Sequence, residues 1–405
     1  MNRRTFTRLA LATAGSVAAI APHARASIPK LKITRIRCYR APHPNPTVNQ
    51  SDQIVTVETD AGITGIGEGG TRDSVEQCAG MLIGEDPTRT EHLWQYLYRG
   101  YFYPPGREKL HALGALDLAL WDIKGKALGV PVYELLGGLT RNHIECYSTG
   151  FPRKGTIGET ARACVESGFR AFRMAVDDIH GDTFDSHSAV RETAGRCREV
   201  REAIGKDKDW AIDFHTRLDL PDAVTLASLI EPLSPYFVED PLRSENLSIY
   251  QDLRGRVRVP IAVGEQLGSR WDINELIERH LIDYTRVTLP NVGGITEFMK
   301  IAALCETHNV GMIPHFTGPI ALSALVHALG AFSGPVLMEI AGAGPQSKPY
   351  LTESCDFHAG SLWPNARPGL GVEFDPKGAT LIAEFTERYA PIPIFHRPDG
   401  SLTNW

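Results

Sequence analysis

The chain has 405 residues, 42% hydrophobic and 22% charged, which suits one large domain plus a smaller one. Its formal charge is −6, and no basic stripe marks a nucleic-acid surface, so a partner of that kind is not expected. Seven cysteines (Cys38, Cys78, Cys146, Cys164, Cys197, Cys305 and Cys355) are odd in number and scattered, with no C-x-x-C. They argue against a zinc site or a disulfide framework and read as small buried hydrophobes.

Residues 1–26 read as a twin-arginine-type signal peptide. Arg3-Arg4-Thr5-Phe6 precedes an apolar stretch from Leu9 to Ile20, and Ala24-Arg25-Ala26 offers an A-x-A-like cleavage site. The apolar run is too short for a membrane anchor and is interrupted by Gly15 and Ser16. The expectation is a periplasmic product with no membrane association after cleavage. Without that segment the chain keeps 38 basic and 48 acidic residues. An acidic balance is compatible with an anionic substrate, because a bound divalent cation dominates its local field.

Residues 27–145 read as an α+β capping unit. Lys32–Arg37 and Gln53–Thr59 alternate as strands, separated by a loop stiffened by Pro42, Pro44 and Pro46. Asp60-Ala61-Gly62 predicts a hairpin turn into Ile63–Gly67. Helical spacing follows from Ser74 to Leu136, strongest over His111–Lys124, with Gly129 and Pro131 ending that helix.

From 146 to 370 short apolar strands alternate with helical stretches. The strand candidates are Ala171–Arg173, Trp210–Ile212, Tyr236–Val238, Ile261–Val263, Tyr284–Val287, Val310–Ile313 and Pro335–Met338. Such alternation predicts an α/β fold with a parallel sheet, with repeats enough to close a barrel. An open doubly wound sheet would want a G-x-G-x-x-G turn after its first strand, and none stands there.

Asp213, Glu239 and Glu265 each follow one of three successive strand candidates, 26 residues apart in both intervals, about one βα unit. Residues at barrel strand C-termini converge on one face. Three carboxylates meeting there repel unless a cation neutralises them, and hard oxygen ligands suit Mg²⁺. The alternative is that each is an ordinary acid at a strand-to-loop junction; their common register favours the metal.

Asp213-Phe214-His215, Val238-Glu239-Asp240-Pro241 and Val263-Gly264-Glu265 resemble the three ligand motifs of the enolase superfamily. Ala115–Lys126 and Tyr133–Gly138 resemble that superfamily's capping domain, and the likeness runs from about residue 30 to 385. Within the mandelate racemase branch the chain is most similar to sugar-acid dehydratases. Asp213–Arg217, Pro314-His315 with Gly318–Leu322, and Leu93-Trp94-Gln95 with Tyr98-Arg99 and Phe102-Tyr103 resemble D-galactonate dehydratases. Ile282–Tyr284, Gly293–Thr296 and Arg173 resemble mannonate dehydratases.

The resemblance implies a modified TIM barrel, (β/α)7β, with an α+β capping domain to which residues 371–405 return, and it implies roles. Mg²⁺ on Asp213, Glu239 and Glu265 would stabilise the ene-diolate formed when a proton leaves the carbon beside a carboxylate, a case the enolase superfamily itself exemplifies. His215 would protonate the departing hydroxyl; alternation places it on the same side as Asp213. A loop histidine bonded to backbone is the rival reading. His315 would be the base, although Thr288 stands where the branch usually has an orienting aspartate, which makes the imidazole less basic. On the second barrel strand Arg173-Met174-Ala175 replaces Lys-x-Lys, so Ala175 offers no second base. Arg173 would orient substrate or assist the base; the tyrosine that accompanies such an arginine in mannonate dehydratases is missing, and His180 and His187, the nearest substitutes, read better as solvated loop histidines. Glu339 would hydrogen-bond the enolate side of the substrate or bridge to a barrel neighbour. The loop 43–50 and Tyr101–Tyr103 occupy positions that select substrate, or Tyr101–Tyr103 pack the domain boundary.

The expected function is Mg²⁺-dependent dehydration of an aldonate or aldarate to a 2-keto-3-deoxy acid, by a homo-oligomer. Two alternatives remain: an epimerase, racemase or cycloisomerase using the same enolate, and a metal-holding binding protein whose catalysis has lapsed. Thr288 and Ala175 favour the latter; His215 together with His315 argues against it.

Overall fold

The structure, a computed structural model, describes residues 28–42, 53–176, 183–352, 355–389 and 394–404. The expected signal segment, the loop 43–50 and His180 lie outside the described residues.

The expected meander is β1 (Ile33–Arg40), β2 (Gln53–Thr59) and β3 (Thr64–Glu68). The Thr59 N–H donates to the Ile63 carbonyl at 3.0 Å, and Gly62 closes the turn at φ +75°, open to glycine at little cost. Helices α1 (Arg72–Leu82), α2 (Thr90–Arg99), α3 (Arg107–Leu128) and α4 (Val132–Leu135) follow. A capping box of Thr71 and Ser74 starts α1, and α3 stops at Gly129 in the left-handed conformation. Helix α3 lies directly on β3: a Cβ on Gly65 or Gly67 would sit 2.0 or 1.9 Å from a carbonyl oxygen of α3, so both positions need glycine.

Eight parallel strands follow: β4 (Ile144–Thr149), β5 (Ala171–Ala175), β6 (Asp209–Asp213), β7 (Val238–Glu239), β8 (Ile261–Val263), β9 (Tyr284–Thr285), β10 (Gly311–Met312) and β11 (Met338–Ala341). The seven intervening helices are α5 (Ile157–Glu166), α6 (Ser186–Ile204), α7 (Leu220–Ile230), α8 (Ile249–Arg254), α9 (Arg270–Glu278), α10 (Ile295–His308) and α11 (Pro319–Ala331). Neighbouring strands pair in chain order from β4 to β10. Strand β11 pairs with β4, while Met312 of β10 donates to Pro335 and accepts from Leu337, just before β11, at 2.9 and 3.2 Å. The ladder thus runs round to its start, giving the expected (β/α)7β order. Tyr147, Ala171, Ala211, Phe237, Ala262, Ile313 and Leu337 form one buried cluster, in which small and large side chains interlock.

The chain then makes a hairpin, β12 (Cys355–His358) with β13 (Ser361–Pro364), which pairs with β4. Strand β14 (Thr380–Phe385) returns to pair antiparallel with β1. The cap is fastened to the barrel by polar contacts as well as packing. Trp94 Nε1 donates to the Gly293 carbonyl at 2.8 Å, Thr296 donates to Asp117 through N and Oγ1 at 3.0 and 2.6 Å, and Glu68 accepts from Ile320 N at 2.9 Å at the start of α11. None of the seven cysteines, all among the described residues, is in a disulfide, and six of them are buried. Among the described residues no helix is long and apolar enough to cross a membrane.

Candidate active site

Strand register dictates which side chains meet at the C-terminal mouth of the barrel. Asp213 and Glu239, last residues of β6 and β7, are direct neighbours, and Ala175 of β5 pairs with Asp213. Glu265 stands two residues past β8, turned inward by Gly264 at φ +149°; a Cβ there would meet the backbone nitrogens of Val287 and Arg286 at 2.8 and 2.9 Å.

The expected acidic triplet is only partly drawn together. The carboxylate oxygens lying within 4.8 Å of one another belong to Glu239, Asp240 and Glu265. Asp213 is engaged elsewhere: Oδ1 accepts from the His215 N–H at 2.6 Å and Oδ2 from both terminal nitrogens of Arg173 at 3.0 and 3.1 Å. Arg173 also approaches Glu239 at 3.4 Å and donates to Thr149 Oγ1 at 3.1 Å.

A second guanidinium, assigned no role from the sequence, sits deeper. Arg286, just past β9, is fully buried. It contacts Glu239 at 2.6 Å, Glu339 at 2.7 Å and Glu265 at 3.3 Å, and bonds the Ile313 carbonyl at 3.1 Å and the Tyr147 hydroxyl. The sequence signal was a charged residue at the end of an apolar strand candidate. Asp240 was quoted only as part of a motif. Strand alternation would send the neighbour of an inward residue outward, but Asp240 turns at φ +34° and leaves the strand.

His215 also departs from alternation. The strand ends at Asp213, and His215 and Thr216 take φ +49° and +57°. The Asp213 side chain holds this turn through the His215 N–H, a local bond that competes with strand geometry. His215 is exposed at the mouth. His315 places Nε2 3.5 Å from Glu265 and its ring 4.4 Å from that of Phe316. Thr288, in the place of the usual aspartate, is buried, and its Oγ1 has no hydrogen-bond partner. Glu265 is in direct contact with His315, and Glu339 acts on it as well. Glu339 accepts from the Phe316 N–H at 3.1 Å and faces both arginines, as a bridge to barrel neighbours. His187 is a surface residue near Asp222 at 3.5 Å, and Tyr103 is largely exposed.

Burial drives the carboxyls of Asp213, Glu239 and Asp240 above the ordinary carboxylate range. Burial acts the same way on Glu265 and Glu339, but His315 and Arg286 outweigh it at Glu265, and Arg286 and Arg173 at Glu339; both end below that range. Burial holds His315 below the ordinary histidine value, against the pull of Glu339 and Glu265, so its imidazole is neutral near pH 7 and can accept a proton.

The donor set fits a hard divalent cation. Five carboxyl groups, those of Asp213, Glu239, Asp240, Glu265 and Glu339, stand against two guanidiniums, and all donors are oxygen. Glu239 Oε1 and Oε2 and Asp240 Oδ2 are buried without a hydrogen bond; the Glu239 contacts to the arginines are close charge pairs but poorly aligned as bonds. Over Arg173 a cleft of about 940 Å³ opens, bordered by Thr149, Phe151, Ala175, Arg196 and Arg217.

Comparison with known proteins agrees with this architecture. The profile described as "Enolase C-terminal domain-like" matches residues 156–378, and that of the "Mandelate racemase / muconate lactonizing enzyme, N-terminal domain" matches 39–137. The chain belongs to the enolase superfamily. Among relatives in this superfamily, a D-galactonate dehydratase of Xanthomonas euvesicatoria pv. vesicatoria is 37% identical over 93% of this chain and 100% of its own length. One from Ralstonia pickettii is 36% identical over the same shares. An enolase-superfamily structure from Agrobacterium radiobacter, holding Na and L-malate, matches with TM-score 0.76 and 30% identity over 92% of this chain and 99% of its own. Another from Pantoea ananatis, with bound D-gluconate and Mg, matches with TM-score 0.77 and 26% identity over 86% and 94%.

Proposed function

We propose that this enolase-superfamily protein is a hydro-lyase that removes water from a sugar acid, an aldonate or aldarate, to give a 2-keto-3-deoxy acid. The observation that carries the reading is the half-buried imidazole of His315, its Nε2 3.5 Å from Glu265, beside a carboxylate cluster with buried oxygens that lack hydrogen bonds. The D-galactonate dehydratase relatives support the substrate class.

Asp213, Glu239 and Glu265 are the proposed holders of Mg²⁺. When bound, the cation withdraws charge from a substrate carboxylate and makes the adjoining C–H acidic. His315 accepts that α-proton on Nε2. His215, exposed at the same mouth, donates a proton to the β-hydroxyl; the β C–O bond breaks, water leaves, and the enol becomes the ketone. Arg173 and Arg286 fix Asp213, Glu239 and Glu339 in orientation, and together they hold Glu339 below the ordinary carboxylate range. Ala175 puts no acid or base at the end of β5, which supports water loss over two-base racemisation.

The test is a panel of hexonates, pentonates and aldarates assayed for 2-keto product, with and without chelator. We expect product from at least one acid sugar and its loss on chelation. Full turnover in a thoroughly chelated sample would sink the metal assignment, and α-hydrogen exchange without water loss would favour an epimerase.

A further inference from the structure

We propose that Asp240 is a fourth carboxylate ligand of the cation site, beside Glu239 and Glu265. The inference rests on the reading that a divalent cation binds at these strand ends. It starts from proximity: oxygens of Glu239, Asp240 and Glu265 all lie within 4.8 Å of one another. Proximity of acids alone is common, and a second observation decides. Asp240 is 2% exposed, and its Oδ2 has no hydrogen-bond partner. A buried carboxylate oxygen without a partner is costly and demands a counter-charge. Both oxygens of Glu239 also lack a hydrogen bond, although Arg286 and Arg173 stand beside them as counter-charges at 2.6 and 3.4 Å.

Asp213 provides the contrast. Each of its oxygens already accepts from the protein, one from the His215 N–H and one from Arg173. The backbone is also arranged to present Asp240. Its φ of +34° is a conformation rarely taken by residues with a Cβ, and two bonds hold it: its N–H donates to the Ala262 carbonyl at 3.0 Å, and its carbonyl accepts from Thr216 at 2.9 Å. This turn brings the side chains of residues 239 and 240 to one place, where an extended strand would have sent them apart.

The probe is Mn²⁺, titrated into metal-free full-length protein and followed by electron paramagnetic resonance of the free ion. Asp240→Asn is expected to weaken Mn²⁺ binding about tenfold to a hundredfold. The metal-free melting temperature should hold or rise, because an unpaired buried carboxylate has gone, while the upward shift produced by Mn²⁺ shrinks. Unchanged Mn²⁺ affinity in a folded Asp240→Asn variant would remove Asp240 from the site. Asp240→Cys gives an independent reading: titration with Cd²⁺ should produce an ultraviolet cadmium–thiolate charge-transfer band. Should Asp240→Asn fail to fold, absence of that band in saturated Asp240→Cys overturns the assignment. If the wild-type protein binds no Mn²⁺, the cation reading itself falls, an outcome distinct from wild type and Asp240→Asn binding alike.

Discussion

Arg286 brings a fixed positive charge into a fully buried position and is met there by Glu239, Glu265 and Glu339. Lysine cannot replace it, because one ammonium could stand where Nη2 meets the three carboxylates but could not also bond Tyr147 and Ile313 as Nη1 does. Arg286→Met leaves those acids facing one another, and the expected loss is about 3–5 kcal/mol in metal-free protein, measured by denaturant unfolding. Added Mg²⁺ should recover part of it. A loss below about 1 kcal/mol would show that the acids are neutral when buried. The two histidines separate differently. In D₂O, His315→Asn should abolish both α-hydrogen exchange and dehydration, while His215→Asn should keep exchange and lose dehydration, each by about 10²–10⁴-fold. Normal turnover in either variant removes that residue from the mechanism.

At the scale of the element, helix α11 carries a buried histidine outside the active site. His327 Nδ1 accepts from the Tyr133 N–H at 3.3 Å, so Nε2 carries the proton donated to the Leu370 carbonyl, 3.1 Å away. Burial drives its pKa down to about 4. A depressed histidine lends stability that is complete above its unfolded pKa, near 6.5, and is lost as pH falls toward 4. The loss approaches about 3 kcal/mol when protonation is forced. His327→Gln should flatten the decline of melting temperature between those values; His111, lowered by burial to about 4 as well, leaves a residual slope. An identical slope in wild type and variant would place the titration elsewhere.

The legibility of elements followed their periodicity. Helix α3, the β2–β3 hairpin and the carboxylates at three strand ends were readable because each signal is local or recurs once per βα unit. Strand β4 was not marked, since Glu145, Ser148 and Thr149 break its apolar run. Arg286 could not be placed from neighbours in sequence, because its burial depends on acids contributed by three other strands. Alternation failed at His215 and Asp240 for one reason: both lie past the strand end, in turns of positive φ.

At the scale of the whole molecule, cap and barrel meet too closely to be separate bodies. Gly114 of α3 faces Pro290, and a Cβ there would come within 2.1 Å of the Pro290 carbonyl oxygen. Gly114→Ala gains helix propensity on α3 yet must wedge the two parts open. A net loss of about 1–3 kcal/mol is expected by thermal or denaturant unfolding. A stabilised variant would show that the cap rides loosely.

The sheet order β14-β1-β2-β3 joins residues 380–385 to residues 36–40. A polypeptide emerging from the ribosome therefore shows β1 early but cannot supply its outer neighbour until synthesis is nearly over. Any message truncated upstream of codon 380 yields a protein whose first strand has a bare edge, open to pairing with a second truncated copy.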